Sequence, residues 1–228
     1  SSNGRIIAQR GFRESYETIG AAGPPGQDFV WVPAAGTDSP VTIIAPTQGR
    51  RGPHFVEGSE RIYLQKGDAL VSIRWDGTEE REHVKVRGAT LQGSTSGLSP
   101  SVIKMAPRGD QALAEVQRHI YTVTVPQVGK AVTINVSNPE NASFPASKLT
   151  DIGGEFPAWG ADGRTVHYSL GNAHFTYSLD DAKVYADSVK AAKKADADEE
   201  KDEDEEEEEH EDEADDDDDA EDEKAKDK

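Results

Sequence analysis

Cysteine is absent from all 228 residues, which excludes disulfides and thiolate-bound metals but leaves the redox compartment open, since many exported proteins also lack it. No apolar run approaches the roughly 18 residues that a membrane-spanning helix needs. Helical periodicity is missing as well: no stretch before Asp180 repeats its apolar residues every 3.6 positions. Positive charge is scarce, with 25 Lys and Arg against 44 Asp and Glu. The resulting net charge of −19 opposes direct nucleic-acid binding, because phosphate contacts need Lys and Arg.

The negative charge is concentrated at one end. Residues 190–228 hold 24 acidic and 7 basic side chains, whereas residues 1–189 hold 20 and 18. The first part is therefore almost neutral, contains all three Trp and nearly all the branched aliphatics, and can bury a core. The last part has alanine as its only apolar residue, and its runs Glu205 to Glu209 and Asp215 to Asp219 repel themselves into an extended chain. The expected division is 1–185 for a folded region and 186–228 for a disordered acidic segment. The chain opens on strand-like residues, Arg5 to Ala8, with no Met or leader-like segment, so further polypeptide upstream is expected.

Apolar residues before Asp180 come in strand-length runs: Phe29 to Val32, Val41 to Ile44, Arg61 to Leu64, Ala69 to Ile73, Ala112 to Val116, Ile120 to Val125 and Val132 to Val136. They are rich in β-branched residues and bounded by Gly, Pro, Asn and Asp, which supply turn dihedrals. An all-β fold is predicted.

Self-comparison adds a repeat. Pro53 to Tyr63 aligns without a gap on Pro157 to His167, and Met105 to Leu113 aligns on Trp159 to His167. The turn positions Ser59, Gly109 and Gly163 are 50 and 54 residues apart. Each copy reads as a large apolar residue, a turn, a strand, a short second turn (Lys66-Gly67-Asp68, Gln117-Arg118, Gly171-Asn172) and another strand. A repeat of roughly 40–50 residues built from about four strands predicts β-propeller blades. Blades ending near 44, 86, 136 and 179 are expected, with a polar loop insertion between Gln9 and Asp28. Three or four blades lack ring closure, so exposed end faces and instability of the isolated chain are expected too.

The turn Glu155-Phe156-Pro157-Ala158-Trp159-Gly160-Ala161-Asp162-Gly163-Arg164 resembles the P-x-W-S-P-D-G turn of TolB-like, WD40-like propeller repeats, with Gly160-Ala161 replacing the Ser-Pro pair. Leu149 to Trp159, followed by Tyr168 to Ala173, resembles the last propeller blade of exported amidohydrolase-family proteins. Ser137 to Asn141 and Pro53-His54-Phe55 with Arg61 to Leu64 add to the likeness, which spans about residues 5–185. The resemblance implies a partial propeller of about three to four four-stranded blades, in a periplasmic or secreted protein. A metal-dependent hydrolase barrel, cleaving C–N bonds with a divalent metal such as zinc, follows in cis in that family. Small peptides or amides are the implied substrates. The acidic run departs from the short connection usual there.

No catalytic, cofactor or metal site is predicted within the chain itself. The His-x-His pair that such a barrel uses is missing, and His54, His83, His119, His167, His174 and His210 are never closer than seven residues. They read as packing, turn or surface residues. Asp76-Gly77, Asp110 and Asp162-Gly163 are spread one per repeat, as tight turns rather than calcium ligands. Gly93 to Gly97 places Thr95 where a nucleophile elbow needs Ser, and reads as an exposed loop. Two functions are compared: a scaffold or substrate-gating propeller beside a downstream hydrolase domain, and a non-catalytic interaction module. In both, the acidic segment serves as a spacer or as a weak binder of cations or basic proteins. An enzyme pocket at the mouth of the propeller channel is a third reading, for which no residues stand out.

Overall fold

The structure, a computed structural model, describes residues 4–10, 28–35, 42–127, 129–189 and 191. Strands dominate and form four open sheets in chain order. The first contains β1 (Arg5–Arg10), β2 (Asp28–Pro33) and β3 (Thr42–Pro46). The second is built from β4 (Arg50–His54), β5 (Arg61–Lys66), β6 (Ala69–Arg74) and β7 (Arg81–Arg87). The third holds β8 (Val102–Met105), β9 (Gln111–Val116) and β10 (His119–Thr124). Two later strands complete these sheets: β11 (Val132–Asn135) joins the second and β12 (Ala146–Lys148) the third. The fourth comprises β13 (Glu155–Trp159), β14 (Thr165–Leu170) and β15 (Ala173–Ser178). No helix among the described residues is long and apolar enough to cross a membrane.

Sequence positions aligned by the repeat occupy equivalent places. Arg61, Gln111 and Thr165 each begin a six-residue strand, which a two-residue turn joins to a second six-residue strand. All three hairpins pair in one register, as in Arg61↔Arg74, Gln111↔Thr124 and Thr165↔Ser178. The turns use the left-handed backbone that tight hairpins require: Gly67 and Gly171 at φ 59°, and Gln117 and Arg118 at 50° and 66°.

Strand alternation then sends side chains to two sides, and successive sheets share a core. Phe29, Ile44 and Ala45 of the first sheet pack with Ile62, Leu64, Ala69, Val71 and Ile73 of the second. Leu70, Val84 and Val86 of the second pack with Ile103, Ala112, Ala114 and Tyr121 of the third. Leu113 and Ile120, on the other side of the third sheet, meet Val166 of the fourth. The central strand β6 is consequently buried on both faces. At the repeat turns the sheets approach closely: a Cβ on Gly163, at φ 69°, would lie 2.6 Å from the Arg108 carbonyl oxygen.

Three features differ from the sequence expectation. The segment Val132–Asn135, expected to end the third unit near Val136, instead runs parallel to β7 in the second sheet, from Val132↔Val84 to Asn135↔Arg87. Ile134 and Val136 gain complete burial beside Val84 and Val86 by that move, and β12 takes the vacated position in the third sheet. The residues from 186 were expected to lack structure, yet 186–189 continue a helix that starts at 179. Asp180 and Asp181 in its first turn suit the positive end of the helix dipole. The residues of the acidic segment from 192 onward, with His210, and the loop positions 11–27 lie outside the described residues. Finally, the two end faces are unlike. The outer face of the first sheet carries Ile6 and Ile43, both about half exposed, whereas that of the fourth carries His167, Ser169, His174 and Thr176. The chain divides into two units, Ser1–Leu179 and Asp180–Lys228.

Candidate functional site

A concavity of about 550 Å³ lies at one end of the second sheet and is lined by Glu60, Arg61, Arg74, Trp75, Asp76 and Arg81. Hairpin register explains the gathering of arginines: Arg61 pairs with Arg74 across β5–β6, and Ser72 pairs with Arg81 across β6–β7. All three guanidinium groups converge on Glu79, at 3.8 Å from Arg61, 2.9 Å from Arg74 and 3.3 Å from Arg81. Glu79 has a left-handed φ of 49°, which turns its carboxylate into that cluster. Burial, then the charge of Arg81, pushes the Arg61 guanidinium below its ordinary range. Beside the cleft Trp75 stacks on Phe55 at 5.7 Å, and the Arg5 guanidinium lies 4.4 Å from the Trp31 ring and 5.1 Å from that of Trp75.

Behind the cleft is a buried polar relay. Arg61 Nε donates to Ser72 Oγ at 2.8 Å, and His83 Nε2 lies 2.8 Å from the same oxygen. The Ser72 hydroxyl, with one proton and two lone pairs, bridges the two side chains. Burial, followed by the Arg61 and Arg81 charges, lowers the His83 pKa and favours the neutral ring. Ser72 is fully buried, so this Ser–His contact offers no nucleophile to a substrate. It ties β5, β6 and β7 together.

The other histidines have local roles. His54 Nδ1 donates to the Gly52 carbonyl at 2.8 Å, and its Nε2 accepts the Met105 N–H at 2.8 Å, bridging the second and third sheets. Burial holds its pKa down at about 4, with the Gly52 carbonyl opposing and Lys104 reinforcing the shift. An unfolded chain takes up this proton near the ordinary value of 6.5, so it binds more protons than the folded chain between 6.5 and about 4. Stability is complete above 6.5 and is expected to fall by about 3 kcal/mol as the pH drops through that window. Urea unfolding at several pH values checks this, and His54→Gln should remove most of the slope. An unchanged slope in that variant refutes the assignment.

His119 Nδ1 is buried without a partner among the described residues. His167 and His174, seven positions apart in sequence, stack at 5.4 Å across the β14–β15 hairpin, and His167 Nδ1 lies 3.2 Å from Thr176 Oγ1. The two-residue turn Gly171-Asn172 implies that proximity, a signal the spacing count overlooks. Among the described residues no three His, Cys, Asp or Glu side chains come together as a metal site.

Asp76 and Asp162 act in turns. Asp76 accepts from the Thr78 N–H at 2.9 Å and its hydroxyl at 2.6 Å, which lowers its pKa. Asp162 accepts from the Arg164 and Thr165 N–H groups at 2.9 and 3.0 Å and from the Thr165 hydroxyl at 2.6 Å. Those bonds, the Thr165 hydroxyl foremost, hold Asp162 at about 2. Asp110 and Asp162 line a small crevice of about 80 Å³ with Arg108 and Arg164. Gly93 to Ser96 form an exposed turn, closed by Ser94 Oγ donating to the Ser96 carbonyl at 2.8 Å.

The arginine cleft can hold an anionic group beside an indole wall, but Glu60, Asp76 and Glu79 already balance its three guanidinium charges. No family model matches the chain, and neither a curated protein nor a solved structure matches it.

Proposed function

We propose that this chain is the β-propeller portion of an exported amidohydrolase-like protein, serving as scaffold or substrate gate for a metal-dependent domain that hydrolyses C–N bonds. The observation that carries the scaffold reading is the threefold hairpin of one register, each copy joined to the preceding sheet by an apolar cluster in chain order. Such sheets are blade-like: each is too thin to bury both faces alone and gains a core only from its neighbours. The link to a hydrolase rests on the likeness of Leu149 to Trp159 and the turn through Arg164 to that family's last blade. On this reading the divalent metal belongs to the downstream domain, and the acidic segment is a spacer.

The test is to express the chain together with the polypeptide encoded beyond Lys228 and to assay amide and peptide hydrolysis with and without a chelator. Metal-dependent turnover by the extended protein, and none by residues 1–228 alone, is the expected result. An extension without a His-x-His-bearing barrel, or without turnover, overturns the hydrolase link and leaves a non-catalytic interaction module.

A further inference from the structure

The three equivalent hairpins differ in what lies beside their second strand. In the second sheet β7 covers β6, and in the third β12 covers β10. In the fourth, β15 is an edge with β14 as its only neighbour among the described residues. The difference shows in exposure: β6 is buried at five of six positions and β10 at four, whereas the first four residues of β15 are exposed.

Hydrogen-bond alternation identifies the groups left facing outward. In an antiparallel pair every second residue bonds its partner, and the residues between turn their N–H and C=O the other way. Leu179 N–H donates to the Arg164 carbonyl at 3.0 Å, so with the observed register Phe175 and Tyr177 bond to β14, while His174 and Thr176 face outward. Their counterparts in the third sheet, Ile120 and Thr122, meet β12: Leu149 N–H donates to the Ile120 carbonyl at 2.8 Å, and Ser147 lies opposite Thr122. In the second sheet the counterparts Leu70 and Ser72 lie on the side of β6 that β7 occupies, and Leu70 pairs with Val84.

We infer that β15 is an acceptor edge that takes up a fourth, antiparallel strand from an extended polypeptide segment. Two further observations favour this occupant. The described residues that follow β15 are helical from 179, so they form no strand such as β7 forms after β6. The edge also lacks the features that protect exposed strands from pairing, for Ala173–Ser178 has no charge, no proline and no bulge. By contrast β13 carries Pro157 and a register shift, and β4 carries Arg50, Arg51 and Pro53. The arriving strand places an apolar side chain or an aliphatic stem beside Phe175, which is 40% exposed, as Lys148 lies opposite Tyr121 in the third sheet. Alternate positions need polar or small residues beside His174 and Thr176. The affinity comes from main-chain hydrogen bonds, the mode of strand addition. This inference uses the equivalence of the hairpins and is independent of the hydrolase link.

Hydrogen exchange on the full 228-residue chain tests it, with a synthetic peptide of residues 144–151 as the probe. That peptide contains the β12 strand and has equal numbers of acidic and basic residues, so the acidic segment does not attract it. In free protein at micromolar concentration the His174 and Thr176 amides should exchange fast while those of Phe175 and Tyr177 are protected. Millimolar peptide should slow the first pair at least ~10-fold, and a scrambled peptide should not. Thr176→Pro removes one outward donor but leaves the β14 ladder intact, and it should abolish the effect. If that variant fails to fold, His174→Pro takes its place. Slow exchange in the free chain, protection that rises with chain concentration because a second copy binds, or a peptide effect that survives these substitutions overturns the inference.

Discussion

Arg50→Ala is expected to lower the unfolding free energy by about 2–3 kcal/mol, through the loss of a nearly buried guanidinium and the three acceptors it joins. The side chain is 5% exposed at the start of β4. Its Nε donates to the Thr47 carbonyl at 3.0 Å, one terminal nitrogen donates to the Pro46 carbonyl at 2.7 Å, and the other to Glu80 at 3.1 Å. The planar fork thus closes the turn between the first and second sheets and pins it to the β7 side. Alanine removes a buried bond to the Thr47 carbonyl, which keeps the residue-50 N–H as its other partner, and a part-buried bond to the Pro46 carbonyl. Glu80 suffers less, because it is one-third exposed and keeps Lys66 at 2.7 Å. Lysine in place of Arg50 should recover only part of the loss, since one ammonium cannot span three acceptors in fixed geometry. Urea unfolding measures both variants, and a loss below about 1 kcal/mol for Arg50→Ala means that water replaces the guanidinium without penalty.

Leu70→Ala should cost about 3–5 kcal/mol, a range set by deleting a fully buried leucine and leaving a cavity. Leu70 is 0% exposed on β6 and belongs to the cluster between the second and third sheets. Its neighbours on the strand, Ala69 and Val71, serve the cluster on the opposite side. The substitution therefore weakens one sheet contact and spares the other. Since stacked repeats are coupled mainly to nearest neighbours, amides of β8–β10 should lose more protection than those of β2. Equal loss across all sheets refutes that division of the core.

Much of the fold was legible because the hairpins are local. Gly67-Asp68 and Gln117-Arg118, flanked by β-branched runs, define both the turn and the register, and the 50-residue offset carries over from one copy to the next. The route of Val132–Asn135 was not legible in the same way. Its Val-Thr-Ile pattern fits an edge of either the second or the third sheet, and the choice depends on burying Ile134 and Val136 against Val84 and Val86, contacts nearly 50 residues away. The helix at 179–189 was hidden by its acidic surroundings. Of the cleft, Arg61 opposite Arg74 follows from the hairpin register, but the placing of Glu79 depends on its left-handed backbone, which the residue type does not announce. The turn roles expected for Asp76 and Asp162 match the hydrogen bonds they make.

The excursion of β11 has a consequence for synthesis on the ribosome. The second sheet could pair β4 through β7 once Arg87 has emerged, but its outer margin stays open until residues 132–135 follow. Because β12 comes later still, the third sheet is finished only after its own chain has first mended the sheet before it. Nascent polypeptide thus carries the open outer edge of β7 across about 45 residues of elongation. A pause in translation within that window would leave the Val84 and Val86 strand free to pair with whatever other nascent chain is nearby.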